Sequence, residues 1–220
     1  MGDFRDPAVA ANWHASQLSH PARGEQLDIL LTVIERVSPR VVLDVGVGSG
    51  LVAEAVLDRL PGVTLVGIDH SPSMLELARP RLARFRDRAQ LVEADLAQPE
   101  EITLPLGPYD GAVSVQTLHN MAPEAQKRTL AWLGRTLEPG GLALLLDKLA
   151  IPEPCFEAYA ALIDLPETAV EHYADEEAQG DQPPLLETQL AWLRSAGFEP
   201  AVLHLRANYA LIAARLASPN

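Results

Sequence analysis

Short apolar runs alternate along the chain with stretches whose apolar residues recur every three or four positions. GEQLDILLTVIERV, just after Pro21, has the helical spacing; VVLDV from Val41 is a continuous apolar run; LVAEAVLDRL returns to the helical period and is closed by Pro61-Gly62. An apolar run bounded by turn residues predicts a buried strand, and the return to helical spacing predicts a helix packed on it. The alternation continues through TLVGID, a helix opened by Ser71-Pro72, AQLVE and YDGAVSV. Ser71 supplies an N-cap and Pro72 a first-turn residue, whereas Pro80, inside the same helical pattern, predicts a kink or an end. A further helix opens at Ala122-Pro123 and ends at Glu138-Pro139-Gly140-Gly141, ahead of the strand LALLLDK. LLETQLAWLRSAGF is a last helix stopped by Gly197, and AVLHLR and YALIAARL are two strands joined at Ala207-Asn208. Strands and helices in this order predict an α/β fold with a largely parallel sheet.

The stretch VVLDVGVGSG couples the first strand to a turn with glycine at alternate positions, Gly46, Gly48 and Gly50. Glycine admits positive φ and leaves no Cβ in the way, so the backbone can approach a ligand closely, with N–H groups turned toward it where the next helix begins. A dinucleotide fingerprint needs glycine or alanine at the sixth position, and counting from Gly46 that position holds Leu51. NAD is therefore disfavoured. Asp69 ends the second strand 25 residues after Asp44, where an acid can accept both hydroxyls of a ribose. Val115-Gln116-Thr117-Leu118-His119-Asn120 leaves the fourth strand into the same cleft, because open α/β sheets bind ligands at the carboxyl ends of their strands. His119 is the candidate general base there, since an imidazole titrates near neutral pH.

Composition narrows the partners. The chain has 220 residues with 17 basic against 30 acidic side chains, a formal charge of -13. That balance repels phosphate polymers and anionic membrane surfaces, so nucleic acid is an unfavoured partner and a small molecule the favoured one. The single cysteine, Cys155, excludes an internal disulfide, and no cysteine cluster could hold zinc. MGDFRDPAVA lacks the basic-then-apolar pattern of a secretory signal, and no apolar run approaches a membrane span, which fits a cytoplasmic protein. Arg79, Arg81, Arg84, Arg86 and Arg88 form the one basic cluster, read as a solvated face that complements a helix dipole.

Asp44 followed by Gly46, Gly48 and Gly50 gives the pattern D-x-G-x-G-x-G, which resembles the first motif of the class I S-adenosylmethionine-dependent methyltransferases, in particular the small-molecule enzymes of types 11, 12 and 25. IDHSPSMLELA resembles the second motif of that family, and Glu138-Pro139-Gly140-Gly141 ahead of an apolar strand is similar to it as well. The motifs cover residues 35–148, and the C-terminal strand pair matches by architecture. The resemblance implies a Rossmann-like seven-stranded sheet, mostly parallel with an antiparallel C-terminal strand pair, and helices on both faces. It implies S-adenosyl-L-methionine as cofactor: Gly46, Val47 and Gly48 against the methionine part, Asp44 facing the ammonium, Asp69 on the ribose with His70 beside it. Met74 would lie against adenine, Asp95 would take the exocyclic amine with Leu96 over the ring, and Val115 and Gln116 would face the transferring methyl. An N-terminal arm, residues 1–24, would fold over the cleft, with Arg23 meeting the cofactor's carboxylate. Trp13, His14, Gln17 and His20 lie in the same arm.

From Leu149 to Leu193 there are ten Asp or Glu residues and no Lys or Arg. With its Pro- and Gly-containing run, and a helix predicted over 154–165, the part from 149 to 184 reads as an acidic, lid-like insertion in one domain of residues 1–220. An acidic cover favours a neutral or cationic methyl acceptor. Asp147 and Lys148 leave the fifth strand at its cleft end, where either could touch that acceptor, and no second carboxylate at Val115 or Gln116 completes a metal site. The length and the C-terminal AGF-then-strand ending are also similar to carboxy-S-adenosylmethionine synthase, but the segment after the fifth strand has no cation to hold an extra carboxylate. A non-catalytic S-adenosylmethionine-binding protein is a third reading, and a homodimer is compatible with any of them.

Overall fold

The computed structural model describes residues 5–11, 21–152, 155, 158, 180–206 and 208–218. Trp13, His14, Gln17 and His20 of the expected arm lie outside the described residues, as do the expected helix over 154–165, apart from 155 and 158, and most of the acidic insertion.

Helix α1 (Pro21–Val37) leads into β1 (Val41–Val45), α2 (Leu51–Arg59), β2 (Thr64–Asp69), α3 (Pro72–Leu82) and β3 (Ala89–Glu93). Then come β4 (Tyr109–Val115), α4 (Pro123–Thr136), β5 (Leu137–Lys148), α5 (Leu186–Ser195), β6 (Phe198–Arg206) and β7 (Tyr209–Leu216). The strands form one seven-stranded sheet in the order β3-β2-β1-β4-β5-β7-β6. The pairs among β1 to β5 are parallel, and β7 runs antiparallel to both β5 and β6. The order reverses on either side of β1, between β2 and β4, which opens a crevice at the carboxyl ends of those strands.

Side-chain alternation along the central strands splits the core in two. Val42, Leu65, Val113 and Leu144 turn to one face with Leu30, Val56 and Leu75 of α1, α2 and α3. Leu43, Val66, Ala112 and Leu145 turn to the other with Leu130 and Leu133 of α4 and Leu193 of α5. Period-two alternation with both faces apolar is what a sheet covered by helices on both sides requires.

Two local expectations are corrected, one in β5 and one in the arginine cluster. Glu138-Pro139-Gly140-Gly141 lies within β5 rather than ahead of it: pairing steps from Tyr109 opposite Leu137 to Gly111 opposite Leu142, so the extra β5 residues bulge out of the ladder. Gly140 has φ +81, and a Cβ on Gly141 would stand 2.9 Å from the Glu138 carbonyl oxygen, so this bulge needs both glycines. The helix does end near Pro80, as expected: α3 stops at Leu82 and tightens into a 3₁₀ helix over Ala83–Arg88.

The arginine cluster is only partly a solvated face: Arg79 is exposed, but Arg81, Arg84 and Arg88 are tied to neighbouring segments. Arg81 and Arg84 reach Glu54 at 2.5 and 3.1 Å, Arg84 also reaches Asp58 at 2.6 Å, and one nitrogen of Arg88 donates to the carbonyls of Leu57, Leu60 and Val63. Arg81 and Arg84 thereby pair with carboxylates of α2, and Arg88 satisfies carbonyls at the C-terminal end of α2 and in the turn that follows it.

Candidate functional site

The crevice holds a cleft of about 390 Å³. Its floor is the turn after β1. Gly46, Gly48 and Gly50 have φ of +80°, +52° and +80°. A Cβ on Gly46 would meet the Thr117 side chain at 2.2 Å, and a Cβ on Gly67 in the facing strand would meet Val47 at 2.7 Å. The glycines therefore serve space. The amides, by contrast, are already committed: Gly46 and Val47 donate to the Ile68 carbonyl at 2.9 and 2.8 Å, and Gly48 donates to Asp69 Oδ2 at 2.8 Å. The tip of β2 takes these three amides; the N–H groups expected to face a ligand are those further on, where α2 begins at Leu51.

Asp69 sits at that tip. Its other oxygen, Oδ1, accepts the Ser71 amide at 2.9 Å, and His70 Nδ1 lies 3.6 Å from it. Burial pushes the Asp69 carboxyl up, opposed by the Ser71 and Gly48 amides. Ser71 caps α3 by accepting from the Met74 amide at 3.2 Å, as its sequence position predicts, which places Met74 in the cleft wall. Asp95 lines the cleft after β3; its Oδ1 accepts the Ala97 amide at 2.8 Å and its Oδ2 the Gln98 side-chain amide at 3.3 Å, which sets Leu96 and Ala97 along the wall.

Nine of the residues singled out in the sequence line this one cleft: Gly46, Gly48, Asp69, His70, Met74, Asp95, Leu96, Val115 and Gln116. Four do not appear in its lining. Val47 turns into the core against Gly67. Arg23 lies in the first turn of α1, with its side chain outside the described set. Asp44 stands behind the floor, 1% exposed, with its Oδ2 buried and unpartnered; burial first, and the charge of Asp69 second, push its carboxyl up to about 8.

The fourth is His119. It is 5% exposed and turned away from the cleft, with Nδ1 against Asp147 Oδ1 and Nε2 3.8 Å from Asp181 Oδ2. Asp147 Oδ2 also accepts the Leu118 amide at 2.7 Å, and Lys148 Nζ lies 3.0 Å from Asp181 Oδ2. Asp147 and Lys148, expected at the acceptor, are instead parts of this buried charge cluster, each 2% exposed. The reason is the 3₁₀ turn over Leu118–Asn120. With three residues per turn, positions three apart share a face; Thr117 and Asn120 line the cleft, and Leu118 and His119 point inward.

The cleft also takes Arg5, Ala97, Met121, Ala122 and Ala125, none of which carries a sequence signal of its own. Arg5 arrives because its carbonyl accepts from Ser73 Oγ at 2.8 Å, a contact between segments far apart in the chain. Among the described residues, no group of three or more His, Cys, Asp or Glu side chains could hold a metal ion, and no helix is long and apolar enough to cross a membrane.

Residues 42–141 match the family model described as a methyltransferase domain. That match covers a little under half of the chain, and the strand order of the whole sheet agrees with it. The chain has the fold of the class I S-adenosylmethionine-dependent methyltransferases. One curated relative, the ribosomal RNA small subunit methyltransferase H of Mycobacterium ulcerans, is 51% identical over 55 residues, 25% of this chain and 14% of that relative. The chain thus spans a small part of the curated relatives it matches. Human N-acetylserotonin methyltransferase, solved with S-adenosylmethionine, superposes with a TM-score of 0.67 at 20% identity over 98% of this chain and 58% of that one. An O-methyltransferase family 2 protein from Planctomyces limnophilus, solved with apigenin, gives a TM-score of 0.58 at 25% identity over 82% and 50%. The methyltransferase fold therefore extends through the C-terminal strand pair, beyond the residues that the family model matches.

The residues fit S-adenosylmethionine. Asp69 accepts the Gly48 amide on Oδ2 and the Ser71 amide on Oδ1, and it lines the cleft as an acceptor that ribose hydroxyls could meet. The unpartnered Asp44 oxygen is an acidic atom without a cation, beneath a turn cleared of side chains.

Proposed function

We propose that this chain transfers the methyl group of S-adenosylmethionine to a small, neutral or cationic acceptor. When bound, the cofactor supplies an electrophilic sulfonium methyl, so alignment and a dry cleft do most of the work asked of the protein. Asp69 holds the ribose hydroxyls, Asp95 selects the amine-bearing edge of adenine, and Leu96 and Met74 supply apolar, polarizable walls for the ring. Gly46 and Gly48 give close approach to the methionine part, Asp44 balances its ammonium, and Arg23 meets its carboxylate. Val115 and Gln116 bound the space where the methyl is delivered. His119 is the candidate base, oriented by Asp147; its Nε2 faces Asp181, so reaching an acceptor requires that carboxylate to give way.

The observation that carries this reading is the convergence of Gly48, Asp69 and Asp95, from three successive strand ends, on one cleft. The acceptor class rests on the charge of -13, which opposes a polyanionic substrate. The RNA in the name of the Mycobacterium relative is a property of that protein, matched over 14% of its length. The relatives reported above are methyltransferases and lend nothing to the carboxy-S-adenosylmethionine synthase alternative.

The test is transfer of labelled methyl from S-adenosylmethionine to pooled small metabolites and, separately, to structured RNA. Label in the small-molecule pool and none in RNA is the expected result. Label in RNA overturns the acceptor class, and intact cofactor binding with no label anywhere favours a non-catalytic binding protein.

A further inference from the structure

Asn120 closes the 3₁₀ turn after β4 and lines the cleft. Its side-chain nitrogen donates to the carbonyl oxygens of Gln116 and Thr117, both at 3.2 Å. Because both partners are acceptors only, turning the amide over would set its own oxygen against two others, so the orientation is fixed. Oδ1 is left buried and without a hydrogen-bond partner. The adjoining cleft wall, Met121, Ala122 and Ala125, carries no donor side chain. A buried acceptor with no donor is costly, and a ligand donor that reaches it recovers that cost.

We propose that Asn120 Oδ1 is the specificity-determining acceptor of the site, receiving an N–H or O–H of the methyl-accepting molecule. This rests on the S-adenosylmethionine reading. There the ribose hydroxyls go to Asp69, the adenine amine to Asp95 and the ammonium to the side of Asp44, so each cofactor donor has a carboxylate and Asn120 serves the second molecule. An uncharged amide oxygen takes neutral or cationic donors, whereas an acceptor presenting only lone pairs at this point would face another lone pair. Asn120 thus selects molecules carrying a hydroxyl, amine or amide N–H on the side facing the turn after β4.

The test uses the full chain saturated with S-adenosylhomocysteine and two matched probe pairs, phenol with anisole and aniline with N,N-dimethylaniline, titrated by ligand-observed NMR. In the wild type at least one donor-bearing probe should bind about five-fold or more tightly than its methylated counterpart. Asn120→Leu should abolish that preference and leave S-adenosylhomocysteine affinity within about two-fold. Equal binding within both pairs in the wild type, absence of binding included, overturns the proposal. So does a preference that survives in Asn120→Leu, or a loss of S-adenosylhomocysteine affinity in that variant, which would give Asn120 to the cofactor. Should the leucine variant fail to fold, Asn120→Ala decides: it removes the acceptor oxygen without adding bulk, should lose the preference, and a preference that survives there overturns the assignment. Failure of the wild type to bind S-adenosylhomocysteine at all is a separate result, against the cofactor reading itself.

Discussion

The Gly48 amide donates to Asp69 Oδ2 at 2.8 Å. The acid at the end of β2 therefore does two jobs: it locks the glycine turn after β1 and lines the cleft as an acceptor. Turn and acid are 21 residues apart in sequence, and the parallel pairing of β1 with β2 brings them together.

Gly46→Ala should be damaging and Gly62→Ala should not. Gly46 has φ +80 and a Cβ there would lie 2.2 Å from the Thr117 side chain, whereas nothing stands within 4 Å of a Cβ on Gly62. A side chain forced into the left-handed region costs about 1–3 kcal/mol, or roughly 2–12 °C of melting temperature at this chain length. Thermal unfolding checks it, with Gly62→Ala expected within about 2 °C of wild type. Similar losses in both variants would contradict the packing described for the turn.

Asp44 makes the ligand-free chain sensitive to pH. Its carboxyl is pushed up to about 8 by burial and then by Asp69, against an ordinary value near 4 in an unfolded chain. Between those values the folded chain holds a proton that the unfolded chain has lost, so stability falls as pH rises through this window and levels off above about 8. Melting temperatures measured from about pH 5 to about pH 9 should decline in the wild type and flatten in Asp44→Asn. If an ammonium lies over Asp44, binding S-adenosylhomocysteine near neutral pH should release a proton. Calorimetry in two buffers of different ionisation enthalpy reads this directly, and identical heats would count against the contact.

Much of the architecture is legible in the sequence because apolar runs bounded by turn residues define buried strands. TLVGID and YDGAVSV are β2 and β4 from end to end. Ser71 is legible as a cap because capping is a local matter. What depends on tertiary register is not. The burial of His119 follows from a single 3₁₀ turn that hydrophobic spacing cannot reveal, and Arg88 is committed to α2 carbonyls that begin 31 residues earlier in the chain. Asp110 is likewise silent in the sequence, yet its carboxylate accepts the Arg40 and Val41 amides at 2.9 and 2.8 Å and so pins the start of β1 to β4.

The buried pair Lys148–Asp181, 3.0 Å apart, should behave as a unit. Removing one partner, Lys148→Met or Asp181→Leu, breaks a buried ion pair and destabilises the fold, while the double variant should lose less than the sum of the two single losses. Denaturant unfolding of the three variants tests the coupling. Simple addition of the two single losses would show that the residues act independently.

His119→Ala should leave S-adenosylhomocysteine affinity unchanged, since the ring lies outside the cleft lining, and should slow methyl transfer if the imidazole acts as base. Single-turnover rates with a responsive acceptor decide it. Equal rates would remove His119 from the chemistry and leave alignment alone.

The central claim is that one adenosyl sulfonium molecule is held by the glycine turn and the acids after β2 and β3. Calorimetric titration of S-adenosylhomocysteine into wild type and Asp69→Ala measures it most directly. The account predicts one-to-one binding to the wild type and a loss of about 100-fold or more in the variant, because the ribose acceptor and the anchor of Gly48 disappear together. Equal affinity in the two proteins, or no binding to the wild type, would contradict it.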